Sequence, residues 1–429
     1  MTMRPAHPSF REALRYWLKL GFISFGGPAG QIAIMHREVV EKRRWFSEEH
    51  FLHALNFCTL LPGPEAQQLA TYLGWRLHGV RGGIAAGALF VLPSVVILYA
   101  LSWAFVMSAH LPWLAAAFHG LQAAVIALVA AALLRIGRKA LKSPAQWALA
   151  AASFALLAGA GISFVIILAT AALIGALLPR WFPAAGHGGK TTGAENPHLD
   201  LPAAPRATWR RSLAVLAICG ALWWLPIILA GLGLGWDSTP AAQGLFFSKA
   251  ALVTFGGAYA VLPYVAQQAV EQHGWLSHSQ MMAGLGLAET TPGPLIMVLQ
   301  FVGFVGGWQH PGSLSPALAA TVCALITTWA TFLPSFLMVF LGAPHVEHLR
   351  NAPRLGASLA AITSAVVGVI LSLAVWFAWH AIFPDGKWAS PDVFVAVVAV
   401  LSFIALQRLK AGVGTVIGGG AILGLLWGM

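Results

Sequence analysis

Residues 19–64 recur without a gap at residues 249–294, a constant offset of 230. Twelve of the 46 positions are identical, and they are punctuation rather than apolar filler. Lys19 matches Lys249, Phe25-Gly26-Gly27 matches Phe255-Gly256-Gly257, Trp45 and Ser47 match Trp275 and Ser277, and Pro62-Gly63-Pro64 matches Pro292-Gly293-Pro294. Further on, Leu92-Pro93-Ser94 returns as Leu333-Pro334-Ser335 at an offset of 241, and Pro144 pairs with Pro391, each opening a pair of apolar segments. Self-similarity of this length means one structural unit duplicated, so the two halves must fold in related ways.

The unit belongs in a bilayer. Of 429 residues, 58% are hydrophobic and 9% charged. A soluble domain carries about 25% charged residues, so this chain cannot dress a solvated surface. The net charge of +11 would suggest a nucleic-acid partner in a soluble protein; in a membrane protein it labels orientation, and no nucleic acid is expected. Cys58, Cys219 and Cys323 lie far apart in apolar stretches, which supports neither a disulfide framework nor a zinc site, and no cofactor is expected. The first twenty residues lack a continuous apolar core and read as a basic cytoplasmic start rather than a signal peptide.

The expected organisation is an N-terminal repeat over 1–182, a polar cytoplasmic linker over 183–211, a connecting span over 212–235 and a C-terminal repeat over 236–429. One extra span between two equal copies reverses the second. Charge agrees: Arg37, Lys42, Arg43 and Arg44 lie between the two motifs of the first copy, and residues 267–274 contain no Lys or Arg. Residues 1–211 carry the whole net charge, and residues 212–429 are neutral with 6 basic and 6 acidic residues. The positive-inside rule then puts the motif flank in the cytoplasm in one copy and outside in the other. Such inverted repeats are typical of secondary transporters.

Gly and Pro cannot continue a helix, so Phe-Gly-Gly and Pro-Gly-Pro should break their segments. Placing all flanking bases inside requires residues 10–44 and 51–78 to enter the membrane, break and return, which is tolerated only where protein or a water-filled cavity surrounds the backbone. The expected fold class is therefore an all-α polytopic membrane protein of two inverted-topology repeats with broken, re-entrant helices. It has about nine full spans and four re-entrant hairpins; counting each broken segment as one span gives about thirteen. The full spans fall near 82–108, 112–135, 144–159, 161–179, 212–234, 315–342, 355–380, 391–407 and 411–428, each near the ~20 residues a bilayer needs.

Phe22-Ile-Ser-Phe-Gly-Gly-Pro28, Arg37-Glu-Val-Val40, Trp45-Phe-Ser47 and Leu61-Pro-Gly-Pro64, with Thr254-Phe-Gly-Gly257 and Thr291-Pro-Gly-Pro294 in the second copy, resemble the chromate ion transporter (CHR) family. The length is similar to its long-chain, two-repeat members. The resemblance implies chromate export across the inner membrane driven by the proton gradient, hence chromate resistance. Sulfate or another small oxyanion, taken in either direction, is the alternative, since chromate and sulfate share charge and shape. A lipid-modifying enzyme is the distant one, because it would need an Asp-rich metal site or a Ser/His/Asp set, and Asp occurs only at positions 200, 237, 385 and 392.

Each break exposes backbone N–H groups at a helix N-terminus, which binds oxyanions without a full charge. The expected substrate site is Ser24, Gly26, Gly27, Pro62, Gly63, Pro64 and Gln67 of the first copy with Thr254, Gly256, Gly257, Thr290, Thr291, Pro292, Gly293 and Pro294 of the second. Asn56 and Gln68 are further donors. Lys19 and Lys249 stand six residues before each Gly-Gly break, ~9 Å along a helix, where an ammonium either leans toward the anion or snorkels to the headgroups. Arg76 attracts anions at the cytoplasmic mouth or simply anchors it. Glu65 and Glu289 adjoin the proline motifs, and an intramembrane acid is a functional hypothesis by default; they are the proton-coupling candidates. His53 and His119 are proton relays or packing residues. Trp45 and Trp275 should anchor at the interface, Ser47 and Ser277 should cap the next helices, the latter with Gln280, and Pro93 and Pro334 should kink spans. A homodimer is compatible with this reading.

Overall fold

The computed structural model describes residues 7–108, 111–183, 208–345, 353–384 and 390–428. The 183–211 linker therefore lies almost wholly outside the described residues. All regular structure among the described residues is helical, and five helices are long and apolar enough to cross a membrane. The chain is an all-α, multi-pass membrane protein.

The duplication is visible element by element. In the first copy α1 (Phe10–Ile23), α2 (Gly27–His36), a π-helical turn (Arg37–Lys42) and α3 (Glu48–Leu60) lead to the long α4 (Glu65–Met107), then α5 (Pro112–Ala140), α6 (Pro144–Ala158) and α7 (Phe164–Leu177). After α8 (Trp209–Leu234) the second copy gives α9 (Thr239–Leu252), α10 (Ala258–Ala266), a π-helical turn (Gln267–Gln272) and α11 (His278–Thr290). A short 3₁₀ turn (Leu295–Met297), α12 (Val298–Gln309), α13 (Pro316–Gly342), α14 (Pro353–Ile382), α15 (Val393–Gln407) and α16 (Val413–Gly428) complete it.

Local chemistry sets these boundaries. Both Phe-Gly-Gly triplets fall in the α1–α2 and α9–α10 breaks, with Gly26, Gly27, Gly256 and Gly257 all at positive φ, which glycine adopts without strain. Each Pro-Gly-Pro separates α3 or α11 from the following helix. Ser47 and Ser277 accept from the N–H groups of His50 and Gln280, and Gln280 completes a capping box. The π-helical turns match as well: Trp45 N–H reaches the Val39 carbonyl and Trp275 N–H the Ala269 carbonyl, both at 2.8 Å. α4 is broken at His78 and Gly79, whose backbone leaves the helical region; the second copy opens this point into the loop between α12 and α13.

The copies interlock. α15 and α16 of the second pack on α5 of the first, while α6 and α7 of the first pack on α14 of the second. Small residues permit the approach, as where Gly120 faces Gly420 and Gly424 and Gly175 faces Ala357. Innermost is α12, buried from Val298 to Gly307, as an element apolar on every side must be. α8 packs one edge on α9 and α13, with Trp223 Nε1 donating to Ser248 Oγ at 2.9 Å. Its other faces carry exposed Leu213, Ile218 and Leu229, surface suited to lipid chains.

Two expectations need adjustment. Trp45 and Trp275 are only 3% and 4% exposed: Arg43 lies 4.9 Å over the Trp45 ring and His273 stacks at 4.3 Å on Trp275, so both are packing residues rather than lipid anchors. The apolar segments α6, α7, α15 and α16 come out at 15, 14, 15 and 16 residues, roughly 21–24 Å at ~1.5 Å per residue, short of the ~30 Å hydrocarbon core. Pro144, Gly159 and Gly161 bound the first pair. Pro93 and Pro334 do lie inside α4 and α13.

Candidate functional site

The four breaks meet in reciprocal pairs. The N–H of Gly63, in the first copy's Pro-Gly-Pro, donates to the carbonyl of Thr254, just before the second copy's Phe-Gly-Gly, at 2.7 Å. The N–H of Gly293 donates to the carbonyl of Ser24 at 2.8 Å. Each bond maps onto the other under the offset of 230. Gln31 adds a third cross-copy bond, Nε2 donating to the Gly293 carbonyl at 2.6 Å.

A cavity of about 740 Å³ adjoins this crossing. The first turns of α2 and α10 form part of its wall, through Gly26, Gly27, Pro28 and Ala29 from one copy and Gly256, Gly257, Ala258 and Tyr259 from the other. First-turn N–H groups have no intrahelical acceptor and carry the positive end of the helix dipole. Glu65, the first residue of α4, and Glu289, near the end of α11, also line it. Buried Tyr259 donates its hydroxyl to Glu289.

Cations complete the wall. Arg135 and Lys139, one helical turn apart near the end of α5, and Arg37, at the start of the π-helical turn, line the cavity and are exposed, whereas Glu65 and Glu289 are half-buried. The cavity therefore opens among the bases. His36 sits at this mouth between two carboxylates, Nε2 at 2.5 Å from Glu48 and Nδ1 at 3.3 Å from Glu41. Among the described residues no three His, Cys, Asp or Glu side chains gather to hold a metal.

The expected site residues divide into three groups. Gly26, Gly27, Gly256, Gly257, Glu65 and Glu289 share the cavity. Pro62, Gly63, Pro64, Pro292, Gly293 and Pro294 instead form the crossing beside it. The hydroxyls are spent on their own helices: Ser24 donates to the Leu20 carbonyl, Thr254 to Ala250, Thr290 to Leu287 and Thr291 to Ala288. Gln68 donates to the Pro62 carbonyl and Gln67 to Thr71. The hydroxyls are engaged because a Ser or Thr at a helix end satisfies itself on a carbonyl three or four residues back.

Other candidates lie elsewhere. Lys19, Lys249 and Asn56 are exposed and outside the cavity lining. Arg76 contacts His50, His53 contacts Glu49, and His119 contacts Asp392 at 2.6 Å. Arg135, Lys139 and Tyr259 were not among the candidates read from sequence. The signal for the cations was a stripe, Leu128, Ala132, Arg135 and Lys139, recurring every three or four residues along α5.

The comparisons with known proteins agree with this architecture. The family model described as Chromate transporter matches residues 11–176 and 242–425, one match per copy. The chain is 34% identical over 371 residues to the chromate transport protein of Pseudomonas aeruginosa, covering 85% of this chain and 80% of that protein. It is 30% identical over 385 residues to the probable chromate transport protein of Synechococcus elongatus, covering 87% and 86%. It is 27% identical over 421 residues to the chromate transport protein of Cupriavidus metallidurans, covering 97% and 93%. No solved structure matches. With both copies matched by one family model and a relative 34% identical over most of its length, the chain belongs to the chromate transporter family.

Proposed function

We propose that this protein exports chromate across the cytoplasmic membrane, driven by the proton-motive force, and thereby confers chromate resistance. The observation that carries the reading is one cavity that opens among Arg37, Arg135 and Lys139 and is walled by the α2 and α10 first turns of both copies. The bases attract a dianion to the mouth. The N–H groups of the two Gly-Gly breaks receive its oxygens without bringing a full charge into the membrane. With the N-terminus and these bases cytoplasmic and the two copies inverted, the present state is loaded from inside. Membrane potential favours this direction, because each negative charge leaving a negative-inside compartment gains about 2.3 kcal/mol per 100 mV.

Glu65 and Glu289 face the same cations that would hold the substrate. An ionised carboxylate competes with the oxyanion for Arg135 and Lys139, and a protonated one does not. Anion occupancy and protonation are thereby linked. This favours a second reading, proton-linked uptake of a sulfate-like oxyanion, since protonated carboxylates leave the cavity more positive.

The test is radiolabelled oxyanion uptake into inverted membrane vesicles. Chromate and sulfate compete, and the membrane potential and pH gradient are imposed separately. Chromate accumulation driven by an interior-positive potential supports export. Accumulation of sulfate alone, or flux only in right-side-out vesicles with an inward proton gradient, replaces it with the second reading. Absence of either flux refutes both.

A further inference from the structure

We propose that Ser94 and Ser335 are a second set of oxyanion ligands, occupied during passage when the Pro-Gly-Pro tips part from the opposite copy. The proposal rests on the transport reading above. Both serines belong to the repeated Leu-Pro-Ser of α4 and α13, and each is 1% exposed. Neither Oγ has a hydrogen-bond partner among the described residues. That is unlike the other buried hydroxyls at hand, since Ser24, Thr71, Ser102, Thr254 and Thr331 each donate to the carbonyl four residues back. A buried hydroxyl without a partner costs stability, so its presence twice, at equivalent positions, calls for a ligand that this conformation excludes.

What stands against each hydroxyl is the central glycine of the other copy's motif. A methyl group on Gly293 would lie 2.7 Å from Ser94 Oγ, and one on Gly63 would lie 2.5 Å from Ser335 Oγ and 2.8 Å from Gln68 Nε2. The tips thus cap the serines with no side chain between, and Gly63 and Gly293 spend their N–H groups on Thr254 and Ser24. Parting the tips would uncover a serine hydroxyl and release a glycine N–H on each side of the crossing. Two donors per copy, with no formal charge, suit an oxyanion that must be held and then released. The geometry also gives the glycines a purpose beyond turn formation, because any side chain would block access to the hydroxyl.

The experiment uses vesicles containing the full-length wild type, Ser94→Ala, Ser335→Ala, the double variant and Ser94→Thr. Chromate uptake is measured over a concentration series, and detergent-solubilised protein is melted with and without chromate. The expected result is a KM for chromate raised about tenfold in each Ala variant, the loss of one hydrogen bond to a charged group. The double variant should show a larger rise, Ser94→Thr a KM near wild type, and the Ala variants no lower melting temperature without ligand. A variant too slow for kinetics should still show a diminished chromate-induced rise in melting temperature. An unchanged KM and an unchanged chromate-induced rise in the double variant overturn the proposal. So does a lower melting temperature with KM intact, which marks a packing role. If the wild type itself moves neither chromate nor sulfate, the transport reading fails, and this assignment fails with it.

Discussion

Gly63 and Thr254 are joined by a 2.7 Å backbone hydrogen bond across the two copies, and its counterpart joins Gly293 to Ser24 at 2.8 Å. The φ angles of Gly63 and Gly293 are 122° and 112°, a region costly for any residue with a side chain. Gly63→Val and Gly293→Val should each abolish chromate resistance and lower stability by at least about 1–3 kcal/mol. Thermal unfolding alongside a resistance assay checks this; unimpaired resistance at normal abundance would take the crossing out of the transport path.

Arg135 and Lys139 line the mouth on successive turns of α5. Arg135→Gln should raise the KM for chromate about tenfold, since a hydrogen bond to a charged group contributes roughly 1.5–3 kcal/mol, and Arg135→Lys should recover part of the loss. The uptake of the wild type should also weaken with ionic strength more steeply than that of the Gln variant. Equal salt dependence would remove Arg135 from substrate capture.

Glu65 and Glu289 are not equivalent under the repeat: Leu295 stands where Glu65 would recur and Thr59 where Glu289 would. Glu65→Gln and Glu289→Gln should therefore each flatten a different part of the pH profile of chromate transport, and Tyr259→Phe should alter only the part belonging to Glu289. Vesicle uptake measured between acid and alkaline pH decides it. Profiles that superimpose on wild type would refute a role in coupling.

Orientation is checked with single cysteines at positions 43 and 273, equivalent under the repeat. In a background without Cys58, Cys219 and Cys323, a membrane-impermeant thiol reagent should label position 273 from outside and position 43 only after the membrane is opened. Labelling of both from one side would end the inverted arrangement.

Glu38, in the π-helical turn at the mouth, is held below the usual carboxylate range chiefly by its 2.7 Å hydrogen bond from Lys42, with burial opposing. A lowered carboxyl pKa contributes stability at neutral pH that is lost as pH falls through the folded-state value. Lys42 is 58% exposed, so the pair contributes only a few tenths of a kcal/mol. Lys42→Ala should therefore lower the melting temperature slightly at neutral pH, and the difference should vanish in acid, where Glu38 is protonated with or without its partner; a difference that persists undiminished in acid would refute the pairing.

Much of the fold was legible because duplication marks its own boundaries: Gly, Pro and Ser recur where backbone chemistry demands them, and Ser47, Ser277 and all four breaks fall there. Less of the site was. Arg135 and Lys139 fall at and beyond the end of the expected 112–135 span, and only the continuation of α5 to Ala140 places them on the cavity wall. Ser24 and Thr254 look like donors in sequence, yet their own helices supply acceptors four residues back. Which tip binds which break is a matter of tertiary arrangement between residues more than a hundred positions apart, and no local pattern encodes it.

The interlocked copies carry a last consequence. With the two copies inverted as proposed, an exchange of conformations between α1–α7 and α9–α16 re-forms the same pair of backbone bonds with partners renamed, and a cavity equivalent to the present one opens on the opposite membrane face. The scaffold itself then has no preference between the two states. Whatever sets the resting direction must come from residues the duplication did not preserve, with Glu65 against Leu295, Tyr259 against Ala29 and Gln31 against Val261 foremost. A single substitution at one of these could reverse which face is open at rest without touching a helix boundary.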